Sequence, residues 1–332
     1  MHGQFVWYEL MTPDTEAAKR FYAPITGWGT QQFDKDYAMW TTAGGPIAGV
    51  YALGDDMRHA GVPPHWMPYI ESNNVDETAR LASTIGGTVM VPPRDIPNVG
   101  RFALIRDPQG AVFGTYKANG PSQSWDGTPV LSRFSWHELM TTDQKKALDF
   151  YRKLFGWETT GEMDMGGGNT YSMFGKGQPF GGIFNRHGDM ANMPPFWLVY
   201  IYVKDVKKAV DIATKNGAFV QRPPMEVPGG GTIAILGDPQ GAAFALHSSQ
   251  TSSRPAAKQS SAAKKRGAAK KSGAAKKIST GKKRTAGKKR ATAKKSSAAK
   301  KRPVAKKRTN ARKATKKRSA TKKRSAAKKR RR

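Results

Sequence analysis

One stretch of this chain occurs twice, and the repetition restricts its fold more than any other feature. Phe5-Val6-Trp7-Tyr8-Glu9-Leu10-Met11-Thr12-Pro13-Asp14, followed by Phe21-Tyr22 and Gly27-Trp28, returns as Phe134-Ser135-Trp136-His137-Glu138-Leu139-Met140-Thr141-Thr142-Asp143, then Phe150-Tyr151 and Gly156-Trp157. Further on, residues 63–117 align without gaps on residues 194–248 with 20 of 55 positions identical, including Asp107-Pro108-Gln109-Gly110 against Asp238-Pro239-Gln240-Gly241. Composition alone does not produce a match of this length, so the chain contains two copies of one fold. The boundaries expected are residues 1–118 and 133–248 for the copies, 119–132 for a linker rich in Gly, Pro and Ser, and 249–332 for a tail.

Within a copy, alternation over residues 4–10 predicts a strand, and Asp14 caps a helix running to about Ala23. Short strands follow at 37–41 and 47–53, then a strand at 66–71 and a helix over 75–85 stopped by Gly86-Gly87. Strands at 88–91, 101–105 and 112–117 close the copy. The order is β-α-β-β-β twice per copy, an α+β fold.

Charge separates the two copies from the tail. The chain has 332 residues and a formal charge of +33, but residues 251–332 hold 36 Lys and Arg and no Asp or Glu. The first 250 residues hold 21 basic and 24 acidic side chains, a net of −3, and every Trp, Tyr and Phe. The tail has too little apolar surface to offset its ordering entropy and is expected to be disordered. The absence of cysteine excludes disulfides, thiolate metal sites and thiol nucleophiles. No basic-then-apolar leader opens the chain and no apolar run approaches ~18 residues, so a cytoplasmic protein outside the membrane is expected.

The β-α-β-β-β order, the aromatic strand with its Asp, Phe-Tyr, Gly-Trp and the late Asp-Pro-x-Gly together resemble the vicinal oxygen chelate superfamily of glyoxalases, extradiol dioxygenases and bleomycin-resistance proteins. The similarity covers residues 4–117 and 133–248. It implies two tandem domains, each of two βαβββ modules curling a mixed sheet into a groove where His, Glu or Gln side chains hold a divalent metal. At the three positions where that resemblance places ligands stand Trp7, Met67 and Gly114 in copy one, and Trp136, Leu198 and Ala245 in copy two. None ligates such an ion, so no cofactor is expected unless the register of these strands differs.

Side chains in phase with those positions should face the groove. They are Trp7, Glu9, Met67, Tyr69, Glu71 and Tyr116 in copy one, and Trp136, Glu138, Leu198, Tyr200, Tyr202 and His247 in copy two. Aromatics with a few polar groups suit a flat or amphiphilic organic ligand, or simply fill a small groove. Glu138 and His247 are the candidates for an acid–base pair. His137 is out of phase and should pack beneath the helix. His59, His65 and His187 fall in loops, at a pocket mouth or in solvent. Gly166-Gly167-Gly168 and Gly229-Gly230-Gly231 lack the Lys-Ser/Thr of a phosphate loop and are read as turns.

The tail repeats with a six-residue period. Its basic groups are Lys264, Lys265 and Arg266; Lys270 and Lys271; Lys276 and Lys277; Lys282, Lys283 and Arg284; Lys288, Lys289 and Arg290; and Lys294 and Lys295. Lys300 and Lys301, then Lys306 and Lys307, continue the period, and Lys316, Lys317, Lys322, Lys323, Lys328 and Lys329 restart it after a slip. Six residues turn a helix by about 600°, so successive pairs would circle the axis without forming one basic face. The Ala-Lys-Lys repeats resemble the tails of linker histones (histone H1) and of bacterial nucleoid proteins like them, without the Ser-Pro-Lys-Lys variant.

The expected partner of the tail is therefore DNA, bound without sequence preference, with RNA or polyphosphate as alternatives. The grooves are expected to take an aromatic or amphiphilic small molecule, the body to form a homodimer, and no membrane to be involved. Three functions stay open: a metal-free binding or scaffold protein held on the nucleoid, an enzyme of the superfamily, or an inert platform for DNA compaction.

Overall fold

A computed structural model describes residues 2–120 and 127–249, and the expectations for the tail lie outside them. Copy one runs β1 (Phe5–Thr12), α1 (Thr15–Thr26), β2 (Gly29–Asp34), β3 (Tyr37–Thr42), β4 (Gly45–Ala52), α2 (Asp55–His59), β5 (His65–Glu71), α3 (Val75–Thr84), β6 (Thr88–Ile96), β7 (Gly100–Arg106) and β8 (Val112–Ala118). Copy two repeats it with β9 (Phe134–Thr141), α4 (Gln144–Phe155), β10 (Glu158–Gly166), β11 (Asn169–Lys176), β12 (Gln178–Asn185), β13 (Phe196–Tyr202), α5 (Val206–Lys215), β14 (Phe219–Val227), β15 (Gly231–Gly237) and β16 (Ala243–Ser249). A single 3-10 turn, Gly188–Met190, stands where copy one has α2.

Local chemistry sets these boundaries. Asp14, Asn74, Asp143 and Asp205 each occupy an N-cap and accept from the backbone N–H three residues on, satisfying a donor that the helix leaves unpaired. Gly27 and Gly156 end α1 and α4 in the left-handed region, at φ 74° and 69°, where a side chain would be strained. The sequence reading missed β2. All six of its residues are exposed, so no buried face imprints alternation on it.

Each copy forms one eight-stranded mixed sheet, in the orders β2-β3-β4-β1-β5-β8-β7-β6 and β10-β11-β12-β9-β13-β16-β15-β14. The two modules of a copy meet at the antiparallel β1–β5 and β9–β13 pairs, while β1–β4, β5–β8, β9–β12 and β13–β16 run parallel. The curled sheet has a groove on one face and a core on the other, and strand alternation assigns each residue to one of them.

The cores are shared between copies. One joins Leu10, Tyr22, Trp28 and Trp40 of copy one to Val199, Val206, Leu236 and Phe244 of copy two. The other joins Ile70, Ile105 and Phe113 to Tyr151, Phe155, Trp157 and Trp197. Reciprocal polar contacts stitch the same boundary. Tyr22 donates to Asp238 Oδ2 at 3.1 Å, and Tyr151 to Asp107 Oδ2 at 3.0 Å. Trp28 Nε1 donates to Ser132 O, and Trp157 Nε1 to Gly3 O, both at 2.7 Å. The Asp-Pro-Gln-Gly landmarks thus act twice: Oδ1 of each Asp accepts backbone N–H groups of its own turn, while Oδ2 reaches the other copy.

Candidate functional site

His137 takes the structural role expected of it. Its ring stacks on Phe5 at 3.7 Å between centroids, Nδ1 lies 2.8 Å from Phe180 O, and Nε2 lies 2.6 Å from the Tyr8 hydroxyl. Burial pushes its pKa down to about 3, so it is a neutral interior group. Of the loop histidines, His65 opens β5 and meets Pro63 O at 2.8 Å, and His59 ends α2. His187 lines a cavity in copy two, and its Nε2 has no partner among the described residues. The glycine triplets form turns, with Gly166, Gly167, Gly168, Gly229 and Gly230 all at positive φ.

That cavity, into which the groove of copy two opens, has a volume of about 790 Å³. Five of the residues expected there, Trp136, Glu138, Leu198, Tyr200 and His247, line it. Tyr202 does not belong to that lining; its hydroxyl donates to Ser249 Oγ at 3.0 Å and its ring meets His247 edge-on. The rest of the lining was not read from the sequence. Met140, Met163, Met165, Met173, Met190, Met193 and Met225 are seven of the chain's thirteen methionines. Met140 and Phe196 were within reach of strand alternation from Glu138 and Leu198. The other methionines arrive on β10, β11, β14, the 3-10 turn and, for Met193, the loop after that turn, and nothing in a single sequence gives the register of those elements.

Glu138 is the polar centre of this apolar space. Tyr171 and Tyr200 donate to its Oε2, each at 3.1 Å, and Trp136 Nε1 donates to the Tyr171 hydroxyl at 2.8 Å. Gly182 makes this possible. It pairs with Glu138 across β12–β9, and a Cβ there would sit 2.0 Å from the Tyr171 hydroxyl. The cavity opens over Glu138, so the side chain is only partly covered, yet removal from bulk water pushes its carboxyl up to about 7. Oε1 accepts no hydrogen bond from a described residue.

The acid–base pair of Glu138 with His247 does not form. Glu138 is level with Leu198, whereas His247 is level with Tyr202, four residues further along β13, or about 13 Å at the rise of a strand. His247 Nδ1 instead lies 3.0 Å from Ser135 Oγ, and burial lowers its pKa. The register also resolves the expected ligand positions. The row through Trp136 and Ala245 passes through Tyr200, and Leu198 stands one row away beside Glu138. Among the described residues no three His, Cys, Asp or Glu side chains converge to hold a metal ion.

In copy one the corresponding residues pack on one another. Trp7, Met67, Tyr69 and Tyr116 cluster with Tyr51 and Phe102. Glu9 accepts from Tyr37 at 2.8 Å through Oε1 and from Tyr69 at 2.6 Å through Oε2, and Trp7 Nε1 donates to Tyr37 at 3.0 Å. Glu71 is half-buried at the end of β5.

The raised Glu138 carboxyl has a consequence for stability with a definite sign. The folded chain holds this proton to higher pH than the unfolded chain, so folding loses stability as pH rises from about 4.5 to about 7. Glu138→Gln removes the loss. Compared with the parent, the variant should gain roughly 2 kcal/mol at pH 8, after discounting for water in the cavity, and nothing at pH 4. Paired urea titrations at the two pH values measure it, and equal effects at both would exclude a raised carboxyl.

Known proteins share this fold and its repeat. The family model of the Glyoxalase/Bleomycin resistance protein/Dioxygenase superfamily matches residues 4–114 and 133–246, and the chain belongs to that superfamily. The putative glyoxylase CFP32 of Mycobacterium tuberculosis is 32% identical over 253 residues, covering 72% of this chain and 92% of that protein. The anthracycline biosynthesis protein DauV of Streptomyces sp. strain C5 is 28% identical over 260 residues, covering 74% and 92%. Among solved structures, the 2,3-dioxygenase LapB of Pseudomonas sp. KL28 shares the fold at a TM-score of 0.54 and 11% identity, over 75% of this chain and 93% of that one.

Proposed function

We propose that this protein binds a flat, largely apolar small molecule in its second groove without a metal, and that its basic tail holds it on DNA. One observation carries the first part: seven methionines and the partly covered Glu138 carboxylate line a cavity of about 790 Å³. Thioether side chains are flexible and polarisable, so they mould to aromatic surfaces of differing outline. The name of DauV, an anthracycline biosynthesis protein, supports a polycyclic aromatic occupant.

The donors present do not suit the divalent ion typical of the superfamily. Around Glu138 they are phenols that burial keeps protonated, and thioethers, whereas such ions take carboxylates and neutral imidazoles. For the tail, the support is its 36 positive charges without an acid beside a body of net −3. No helix of the described residues is long and apolar enough to cross a membrane.

Thermal melting of the full chain with a panel of polycyclic aromatics tests the reading, alongside elemental analysis. A ligand at 100 times its Kd should stabilise by about 2.7 kcal/mol, a rise of roughly 5–10 °C. A stoichiometric metal that supports turnover would overturn the proposal in favour of an enzyme. A flat panel would leave an inert platform.

A further inference from the structure

The two copies treat the corresponding carboxylate, Glu9 and Glu138, differently. In copy one, burial raises the Glu9 carboxyl as well, but both of its oxygens accept from phenols, and the nearby Tyr51 hydroxyl and Arg94 act against that rise. The Arg94 guanidinium lies over the Phe102 ring, 4.8 Å from its centroid. Copy one therefore provides its own donors and its own cation. In copy two, strand pairing puts Phe184 where Tyr51 stands, and Met225 where Arg94 stands. Both substitutions remove polarity next to Glu138, and the cavity lies in the space beside it.

What remains near Glu138 does not make up the deficit. Burial and the two tyrosines are the influences on its carboxyl, and no cation is among them. Arg222 on β14, His247 on β16, and Asp189 and His187 at the 3-10 turn wall the same cavity. Glu162 on β10 accepts from Ser172. None of them bonds to Glu138. A carboxylate without a counter-charge in an apolar cavity is costly, and a cation that enters with a ligand relieves that cost.

We propose that the second groove is selective for flat aromatic cations, such as a planar ring system bearing one protonated amine. The charged nitrogen sits against Glu138 Oε1, in the space that Arg94 and Tyr51 fill in copy one, and the rings lie among the methionines and Trp136. This rests on the second groove being a binding site, and deepens that reading by naming the ligand class. The rings of Trp136, Tyr171 and Tyr200 add cation–π attraction to the ion pair. Below neutrality Glu138 holds a proton that the ligand must displace, so affinity should rise with pH up to about 7 and then level off.

Calorimetric titration of the full chain at pH 8 with 9-aminoacridine, a flat cation, and with acridine, its neutral analogue, tests this. The cation should bind at least about tenfold tighter, the scale of a hydrogen bond to a charged group. Glu138→Gln should abolish that difference, read as the ratio of the two affinities within the variant. Met225→Arg, which restores the cation of copy one, should weaken 9-aminoacridine by a similar factor. The tail is common to all three proteins, so it does not enter the comparison. Equal affinities in the parent, or a preference that survives Glu138→Gln, would overturn the proposal and leave the groove a binding site. Failure of both probes to bind the parent would overturn the binding-site reading as well.

Discussion

Raising the salt from about 50 to 200 mM should weaken the hold of the full chain on duplex DNA by about 10⁵-fold, for ~10 tail charges meeting phosphates. The size follows from the way charge is distributed. The 36 basic groups follow one another along residues 251–332 with Ala, Ser, Thr and Gly between them and no acid to compensate. Such a segment releases counterions in proportion to the phosphates it meets, giving a slope of about −9 in log K against log salt. No aromatic or amide-rich cluster in the tail reads base edges, so two unrelated duplexes should give the same curve. Fluorescence anisotropy with labelled duplexes across a salt series gives the slope directly. A slope shallower than about −3, or retention by a chain cut after residue 250, would refute the tail as the DNA contact. Equal displacement by RNA and polyphosphate would make the partner a general polyanion.

Replacing Trp157 by Ala should cost about 3–5 kcal/mol, and the damage should reach both copies. Trp157 is 1% exposed, stacks on Phe174 at 4.4 Å and on Tyr151 at 5.1 Å, and donates to Gly3 O at the start of copy one. Removal opens a cavity in a core that also contains Ile70, Ile105 and Phe113. Unfolding in urea should remain one transition at a lower midpoint, with amide exchange accelerated in β5 and β7 as well as in α4. Two separated transitions would mean that the copies fold independently.

The sequence made the repeat, the module order and the domain class legible because each copy has a strongly alternating strand, a capped helix and fixed landmarks. It did not make β2 legible, since a fully exposed strand carries no pattern. Strand phase, counted from the ligand positions that the family resemblance implies, brought Glu138, Trp136, Leu198 and Tyr200 to the groove, but placed His247 in a pair it does not form, because phase says which face and not which row. The methionines escaped notice for a related reason. They converge from elements distant in sequence, and an unbranched apolar side chain carries no motif. The exchange of Arg94 for Met225 was visible in the aligned copies, whereas that of Tyr51 for Phe184 lies outside the aligned stretches and emerges from strand pairing. Their meaning needed the carboxylate beside them.

The Asp-Pro-Gln-Gly landmarks were the clearest case of a motif whose purpose the sequence concealed. It reads as a turn. In the fold, Asp107 and Asp238 also each receive a tyrosine from the other copy.

That reciprocity bears on how the two halves can evolve. If the same cores were formed by two identical subunits, every substitution in a groove would appear in both grooves, and the shared boundary would be copied with it. Joining the halves in one chain lets selection act on each groove alone while the boundary stays constant. One half can then settle into a filled, self-neutralised groove and serve as scaffold, and the other can vary its lining to follow a changing chemical environment.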